Sequence, residues 1–117
     1  YMVKRNKGTI IFTGATASMR GGANFAAFAS AKNGLRALAQ SMARELGPQN
    51  IHVAHVIIDA AVDTEWIKSI HPEYDKKIKA DGIVNPSHLA ENYLYLYDQP
   101  RDAWTFELDL RPWQETW

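Results

Sequence analysis

Two short apolar segments on either side of one long helical pattern constrain the fold of this chain more than any other feature. Residues 9–14 and 51–58 are rich in β-branched and aromatic side chains, and each has the length of a strand buried on both faces of a parallel sheet. From residue 24 to 46 apolar side chains recur every three or four positions, which predicts one long helix. Asn24 is expected to cap this helix and Gly47-Pro48 to end it. A strand, a helix and a strand in this order indicate a parallel pair joined by a crossover helix.

Smaller elements are predicted around this unit. Residues 1–8 resemble the end of a helix and its exit turn, so we expect the chain to be truncated upstream. The small residues 15–23 predict a loop at the carboxyl edge of the sheet, where ligands bind in such folds. Residues 63–83 predict one or two short helices broken at Pro72. Residues 86–98 predict a helix, although the alternation over 93–97 also fits a strand, and residues 104–111 predict a half-buried strand near a sheet edge.

Composition places the chain among ordinary globular proteins. Its 117 residues are 46% hydrophobic, with 13 Lys+Arg against 13 Asp+Glu, so no net field draws in a polyanion and we expect no nucleic-acid partner. The basic run Lys4, Arg5 and Lys7 is too short to change this expectation. The absence of cysteine excludes disulfides and thiolate chemistry and fits a cytoplasmic location. No apolar stretch approaches the roughly 20 residues of a membrane span, so no membrane partner is expected.

The segment GTIIFTGATASMRGGANFAAFASAKNGLRALAQSMARELGP, residues 8–48, resembles the central part of short-chain dehydrogenases. In that family a strand ends in a catalytic serine and the next helix carries Tyr-x-x-x-Lys. The resemblance continues through residues 50–56 and 85–90 and covers nearly the whole chain. It implies an α/β fold, namely the C-terminal half of a Rossmann-like doubly wound parallel sheet with about three strands and flanking helices. It also implies an NAD(P)-dependent oxidoreductase that transfers hydride to or from a carbonyl or alcohol on a small-molecule substrate.

The resemblance also implies roles for individual residues. The family's lysine lies beside the tyrosine on one helical face, lowers the pKa of the phenol and holds the nicotinamide ribose. Its serine, thirteen residues before the tyrosine, donates to the substrate oxygen as charge develops there. In this chain Phe28 stands at the tyrosine position, Ala15 at the serine position, and only Lys32 is kept. Catalytic competence is therefore in doubt.

Three hydroxyls near these positions are candidates for compensation. Thr16 is the strongest because it follows Ala15 directly. Ser18 is more typical of a residue that stabilises a turn, although a shift of the loop would bring it to the substrate. Ser30 points roughly 200° around the helix from Phe28.

The implied cofactor is NAD or NADP. After the second strand the family usually has Pro-Gly and then a threonine whose loop meets the nicotinamide carboxamide; here Asp59-Ala60 replaces Pro-Gly, while Val62 and Thr64 match. The glycine-rich phosphate turn G-x-G-x-x-G is not found in these residues, and Gly21-Gly22 does not follow a strand directly. Residues 1–117 are thus expected to be a single partial domain without the N-terminal dinucleotide-binding half, and not to bind the cofactor alone.

Other features have less specific interpretations. No metal site is expected, because His52 and His55 lie at an odd separation on a strand and so face opposite sides. Asp59 and Asp63 are more typical of turn formers and helix caps than of paired acid–base carboxylates. The aromatic residues favour a core or a subunit interface, and hence a homo-oligomer such as a dimer; they are Tyr93, Tyr97, Trp104, Phe106, Trp113 and Trp117. A non-catalytic, self-associating fragment or scaffold is the alternative function.

Overall fold

The strands of this protein form one three-stranded parallel sheet. The computed structural model describes residues 1–117. Its strands are β1 (Gly8–Ala15), β2 (Ile51–Ile58) and β3 (Glu107–Leu110), in the spatial order β1-β2-β3. Both neighbouring pairs are parallel. The helices are α1 (Met2–Arg5), α2 (Ala26–Leu46), α3 (Glu65–Ile70), α4 (Tyr74–Lys79) and α5 (Pro86–Asp98). The predicted class, a three-stranded parallel sheet with flanking helices, is confirmed.

Burial differs sharply between the two long strands. β2 pairs with β1 along its whole length and with β3 over its second half, and all of it except Ile58 is buried. β1 has a neighbour on one edge only, and most of its residues are half-buried. The prediction of burial on both faces is therefore correct for β2 and wrong for β1, because burial of a strand depends on neighbours that its own sequence does not specify.

The two faces of the sheet carry different chemistry. On the α5 side, Ala54 and Val56 of β2 pack against Leu96 in a small apolar core. Because side chains alternate along a strand, His55 points to the α2 side. There its Nδ1 lies 3.1 Å from Glu107 Oε2. The α2 face of the sheet is therefore held partly by polar contacts.

α2 begins later than predicted. Asn24 has a left-handed backbone with φ of 69°, the N-cap position is Phe25, and no side chain caps the helix. The predicted cap is wrong because Asn24 belongs to the preceding turn. The end at Gly47 is as predicted. Small residues, Ala29 and Ala39, face the sheet and are buried, whereas Phe25 and Phe28 are exposed.

The C-terminal half follows the prediction with one shorter strand. α3 and α4 flank Pro72, and residues 86–98 are helical, so the strand alternative is wrong there. β3 covers four residues instead of the eight predicted. Trp104 and Thr105 are held outside the sheet, where Trp104 stacks on His52 and Thr105 bonds to the Gln99 side chain. None of the helices combines the length and the apolar character needed to cross a membrane.

Candidate active site

The segments that follow β1 and β2 leave the sheet side by side, because Ala15 and Ile58 are paired in register. The Thr16 hydroxyl donates to Oδ1 of Asp59, and Arg20 Nη2 lies 3.3 Å from Oδ2 of the same carboxylate. Asp59 is only 3% exposed. We call these three side chains the Asp59 cluster. A buried carboxylate requires such partners, since an unpaired charge is costly in the interior.

The Asp59 cluster limits what Thr16 can do. A hydroxyl has one hydrogen to donate, and that of Thr16 is directed to Asp59. In this arrangement its oxygen has no proton left for a substrate oxyanion beside Ala15. Thr16 is thus close to the position that the sequence indicated, with its donor already engaged.

Ser18 stabilises the turn, as its residue type predicted. It is fully buried, and its Oγ accepts a hydrogen bond of 3.0 Å from the backbone N–H of Ala15. The amide of Asn33 on α2 donates to the carbonyl of Ala17 at 2.7 Å, which fastens the same turn to the helix. Ser18 therefore shapes the loop from beneath and does not reach its open surface.

Phe28 and Lys32 lie on one face of α2, as the spacing predicted. Phe28 is 47% exposed to solvent. The Lys32 Nζ atom lies 5.9 Å from the centroid of the Phe28 ring. Lys32 also donates to the backbone carbonyl of Thr13 at 3.0 Å. An ammonium has three donors, so two are left for other acceptors. Ser30 is exposed and makes no hydrogen bond to these residues.

The loop after β2 presents main-chain groups instead of side chains. Val62 forms an isolated parallel bridge with Val84. The hydrogen bonds of this bridge are made by the residues on either side of Val62. Asp63 N–H donates to Val84 O at 2.9 Å, and Val84 N–H donates to Ala61 O at 3.0 Å. The N–H and C=O of Val62 itself therefore point to the opposite side without a backbone partner. Thr64 caps α3 by accepting from Ile67 N–H at 3.2 Å.

Asp63 does not join Asp59 as an acid–base pair. Its Oδ1 accepts a hydrogen bond of 2.6 Å from the phenol of Tyr74. That hydrogen bond, with burial and nearby carboxylates, raises the pKa of Tyr74 to about 12. The expectation of helix capping is wrong for both carboxylates, since each binds distant side chains.

The histidines are separated as the strand period predicted. His52 stacks on Trp104 and its Nε2 lies 2.8 Å from the Thr105 carbonyl, whereas His55 faces Glu107 on the other side of the sheet. The chain contains no cluster of three or more His, Asp and Glu residues suited to a metal. Sequence reasoning missed Arg20 and Asn33. The replacement of the family's proline by Asp59 was a signal for Arg20, because an acidic residue at a buried strand end needs a cationic partner.

A three-stranded parallel sheet whose first two strands are joined by a crossover helix is the arrangement of a Rossmann-like α/β fold. A family model for the short chain dehydrogenases matches residues 1–75. The chain is also 34% identical over 82 residues to the 3-oxoacyl-[acyl-carrier-protein] reductase MabA of Mycobacterium avium, an alignment covering 70% of this chain and 30% of that protein. The chain therefore belongs to the short-chain dehydrogenase family.

Solved structures agree with this assignment. A short-chain dehydrogenase from Rhodopseudomonas palustris is 51% identical with a TM-score of 0.71, over 96% of this chain and 42% of that one. An alcohol dehydrogenase from Thermococcus sibiricus, complexed with 5-hydroxy-NADP, is 25% identical with a TM-score of 0.75, over 98% of this chain and 46% of that one. The chain thus spans less than half the length of these proteins.

Proposed function

We propose that this chain forms the substrate and nicotinamide side of an NAD(P)-dependent oxidoreductase domain that lacks the proton transfer usual in its family. The observation that carries this proposal is the pairing of Lys32 with a tyrosine position occupied by Phe28. A phenyl ring has no proton to transfer. Loss of a general acid–base lowers rates by about 10²–10⁴, and loss of one oxyanion donor by about 10²–10³.

The residues at the carboxyl edge fit the nicotinamide half of a dinucleotide. The two free donors of the Lys32 ammonium are suited to ribose hydroxyls. The unpaired N–H and C=O of Val62 are suited to a carboxamide, which offers one acceptor and two donors. Thr64 adds a hydroxyl to the same loop. When bound, the dinucleotide supplies or accepts the hydride.

The pyrophosphate and adenosine would be bound by residues outside 1–117, in an N-terminal half of the domain. This part of the proposal is supported by the family resemblance, since complete members place these groups at a G-x-G-x-x-G turn that residues 1–117 do not carry. A cytoplasmic location is proposed on the absence of cysteine.

Titration of the full-length protein with NADH and NADPH tests the proposal by the change in nucleotide fluorescence. Saturable binding is expected with at least one, weakened about tenfold or more by Lys32→Met, since this substitution removes charge-assisted hydrogen bonds. Lys79→Met, at an exposed residue on α4, is the control. Absence of a saturable signal with both nucleotides would contradict the proposal.

A non-catalytic scaffold that self-associates is the second candidate. It rests on the exposure of large apolar side chains on α5 and the C-terminal segment; they are Leu94, Tyr95, Tyr97, Trp113 and Trp117. Sedimentation of the full-length protein tests this candidate. Leu94→Arg should dissociate a dimer built on α5, whereas Trp66→Arg, at a similarly exposed residue of α3, should not.

A further inference from the structure

At the end of the sheet opposite the candidate active site, the structure forms a basic cleft of about 750 Å³. Its cationic side chains are Arg5, Lys7 and Arg101, and Asp98 is the only acidic residue in its lining. β1 begins at this cleft and ends at Ala15. Thr9 and Ala15 are six positions apart along the strand, or roughly 20 Å, so the two sites are distinct.

The cations of the cleft are free. The chain has six arginines, of which Arg20, Arg36 and Arg111 form ion pairs with carboxylates. Of the three others, Arg5 and Arg101 both line this one cleft. Arg5 and Lys7 of the short basic run thus line the same cleft as Arg101, which is nearly a hundred positions away in the sequence. The cleft therefore concentrates positive charge, although the net charge of the chain is zero.

Both loops that carry these cations are held in place. On one side, Asn50 Nδ2 donates to the carbonyl of Asn6 at 2.8 Å, which fixes the turn before Lys7. On the other, the amide of Gln99 makes two hydrogen bonds of 2.8 Å with Thr105 and closes the loop containing Arg101. Because these loops are already fixed, less conformational entropy is lost when a ligand binds.

A buried histidine with an unused ring nitrogen lies in the wall of the cleft. His52 is 3% exposed, and its ring stacks on Trp104 with centroids 4.8 Å apart and planes 3° apart. Its Nε2 must donate to the Thr105 carbonyl at 2.8 Å, which leaves Nδ1 as the free nitrogen. Nδ1 is buried and has no hydrogen-bond partner. Buried polar atoms without a partner are few, and each requires an explanation. His55 Nε2 and Arg111 Nη1 are the other two in this structure, but only His52 lies in the lining of the cleft.

We propose that the basic cleft binds a phosphorylated small molecule, with its phosphoryl group at Arg5, Lys7 and Arg101. Arginine forks match phosphate oxygens with two parallel hydrogen bonds. A volume of about 750 Å³ exceeds that of a phosphate ion and lies within the usual range of small-molecule sites. The inference is independent of cofactor binding at the carboxyl edge.

Calorimetric titration of the full-length protein tests this site. The probes are inorganic phosphate and ribose 5-phosphate, with ribose as the uncharged control, all in the presence of excess NADPH. Saturable binding of either phosphate, and none of ribose, supports the site. Tighter binding of ribose 5-phosphate identifies the ligand as a phosphorylated metabolite, whereas equal affinities identify the phosphoryl group as the whole determinant.

Variants locate the binding. Arg101→Gln and Arg5→Gln should each weaken binding about 10-fold or more, while Arg44→Gln, at the third arginine without a carboxylate partner, should leave it unchanged. The side-chain ¹⁵N resonances of His52 should shift on addition of ribose 5-phosphate, an effect that unfolding of a variant does not produce. No binding by either phosphate, or equal losses in Arg101→Gln and Arg44→Gln, would overturn the proposal.

Discussion

The imidazole of His55 occupies the space into which a Cβ atom on Gly14 would project. Nε2 and Cε1 of the ring both lie closer to that point than van der Waals contact allows, and Ser18 Oγ is only 2.7 Å from it. Gly14 is paired in register with Ile57, and its neighbour Thr13 with Val56, so His55 reaches across from the adjacent strand. The absence of a side chain at Gly14 is thus what lets the ring lie beneath the turn that carries Ala15.

Gly14→Ala should destabilise the full-length protein by about 1–3 kcal/mol, the usual effect of overpacking a filled interior. In a His55→Ala background the same substitution should cost less, because the ring no longer fills that space and only the Ser18 hydroxyl still crowds the new Cβ atom. Urea denaturation of the four proteins of this cycle measures the coupling. Equal losses of stability in both backgrounds would show that the His55 ring is not the reason why position 14 requires glycine.

Gly34→Ala is the matched control and a prediction in itself. Gly34 lies within α2, and a Cβ there meets nothing within 4 Å. The substitution should therefore stabilise the protein by about 0.5–1 kcal/mol, the difference in helix propensity between the two residues. Loss of stability in the same urea experiment would contradict it.

The ion pair between α2 and β3 should make stability depend on pH. Arg36 donates to both carboxylate oxygens of Glu107, at 2.7 and 2.8 Å. The hydrogen bonds from Arg36, and to a lesser extent from His55, hold the pKa of Glu107 below its usual range. Since the folded-state pKa is the lower one, the stabilisation is fully present above the unfolded value, about 4.3, and is lost as pH falls through the folded value.

Glu107→Gln should consequently lower the free energy of unfolding by about 1–3 kcal/mol at pH 7, and the difference from the unaltered protein should shrink in acid. Urea denaturation over a series of pH values measures this. Glu73→Gln is the control, because its contact with Lys76 is exposed and such pairs contribute about 0–1 kcal/mol. A Glu107→Gln deficit that persists at acid pH would argue against an ionic origin.

Tyr74 should ionise only at unusually high pH. Its hydrogen bond to Asp63 raises its pKa to about 12, so the neutral phenol is favoured in the folded state. That contribution is present below the unfolded pKa and disappears as pH rises through the folded one. In an absorbance titration of tyrosinate, Tyr74→Phe should remove a late step and Asp63→Asn should shift that step to lower pH. A tyrosinate titration that Asp63→Asn leaves unchanged would contradict the hydrogen bond between Tyr74 and Asp63.

Restoring the two hydroxyls should restore family chemistry. In the full-length protein, Ala15→Ser with Phe28→Tyr should raise kcat/KM for carbonyl reduction by about 10²–10⁴. Phe25→Tyr is the matched control, because the Phe25 ring lies only 6.5 Å from that of Phe28, whereas the Lys32 ammonium lies over the Phe28 ring. Turnover by the unaltered protein at the rate of the restored one would refute the predicted loss of proton transfer.

Local patterns predicted the regular elements of this chain well. β2 could be delimited to the residue, because its apolar run is bounded by Asn50 and Asp59. The end of α2 followed equally from Gly47-Pro48. Its start did not, since Asn24 serves a left-handed turn as readily as a cap. The half-burial of β1 depends on the sheet around it and has no local signal.

The sequence predicted which positions form the candidate site, but it did not predict the hydrogen bonds between their side chains. The spacing located Ala15, Phe28 and Lys32, and the structure brings Lys32 to the carbonyl of Thr13. The engagement of Thr16 by Asp59 joins residues 43 positions apart. No periodicity or motif specifies a contact of that separation, because it depends on how two strand ends are paired in register.

The Asp59 cluster has a consequence for how this sequence diverges from its relatives. A carboxylate that is 3% exposed is tolerated because Thr16 and Arg20 bind it. Losing Arg20 would leave the buried carboxylate without its cationic partner, and losing Thr16 would leave Oδ1 without its hydrogen bond. Restoring the family's proline at position 59 would remove the acceptor for both side chains. The three residues should therefore be exchanged as a group between lineages, and intermediates carrying one or two of them should be rare among homologues.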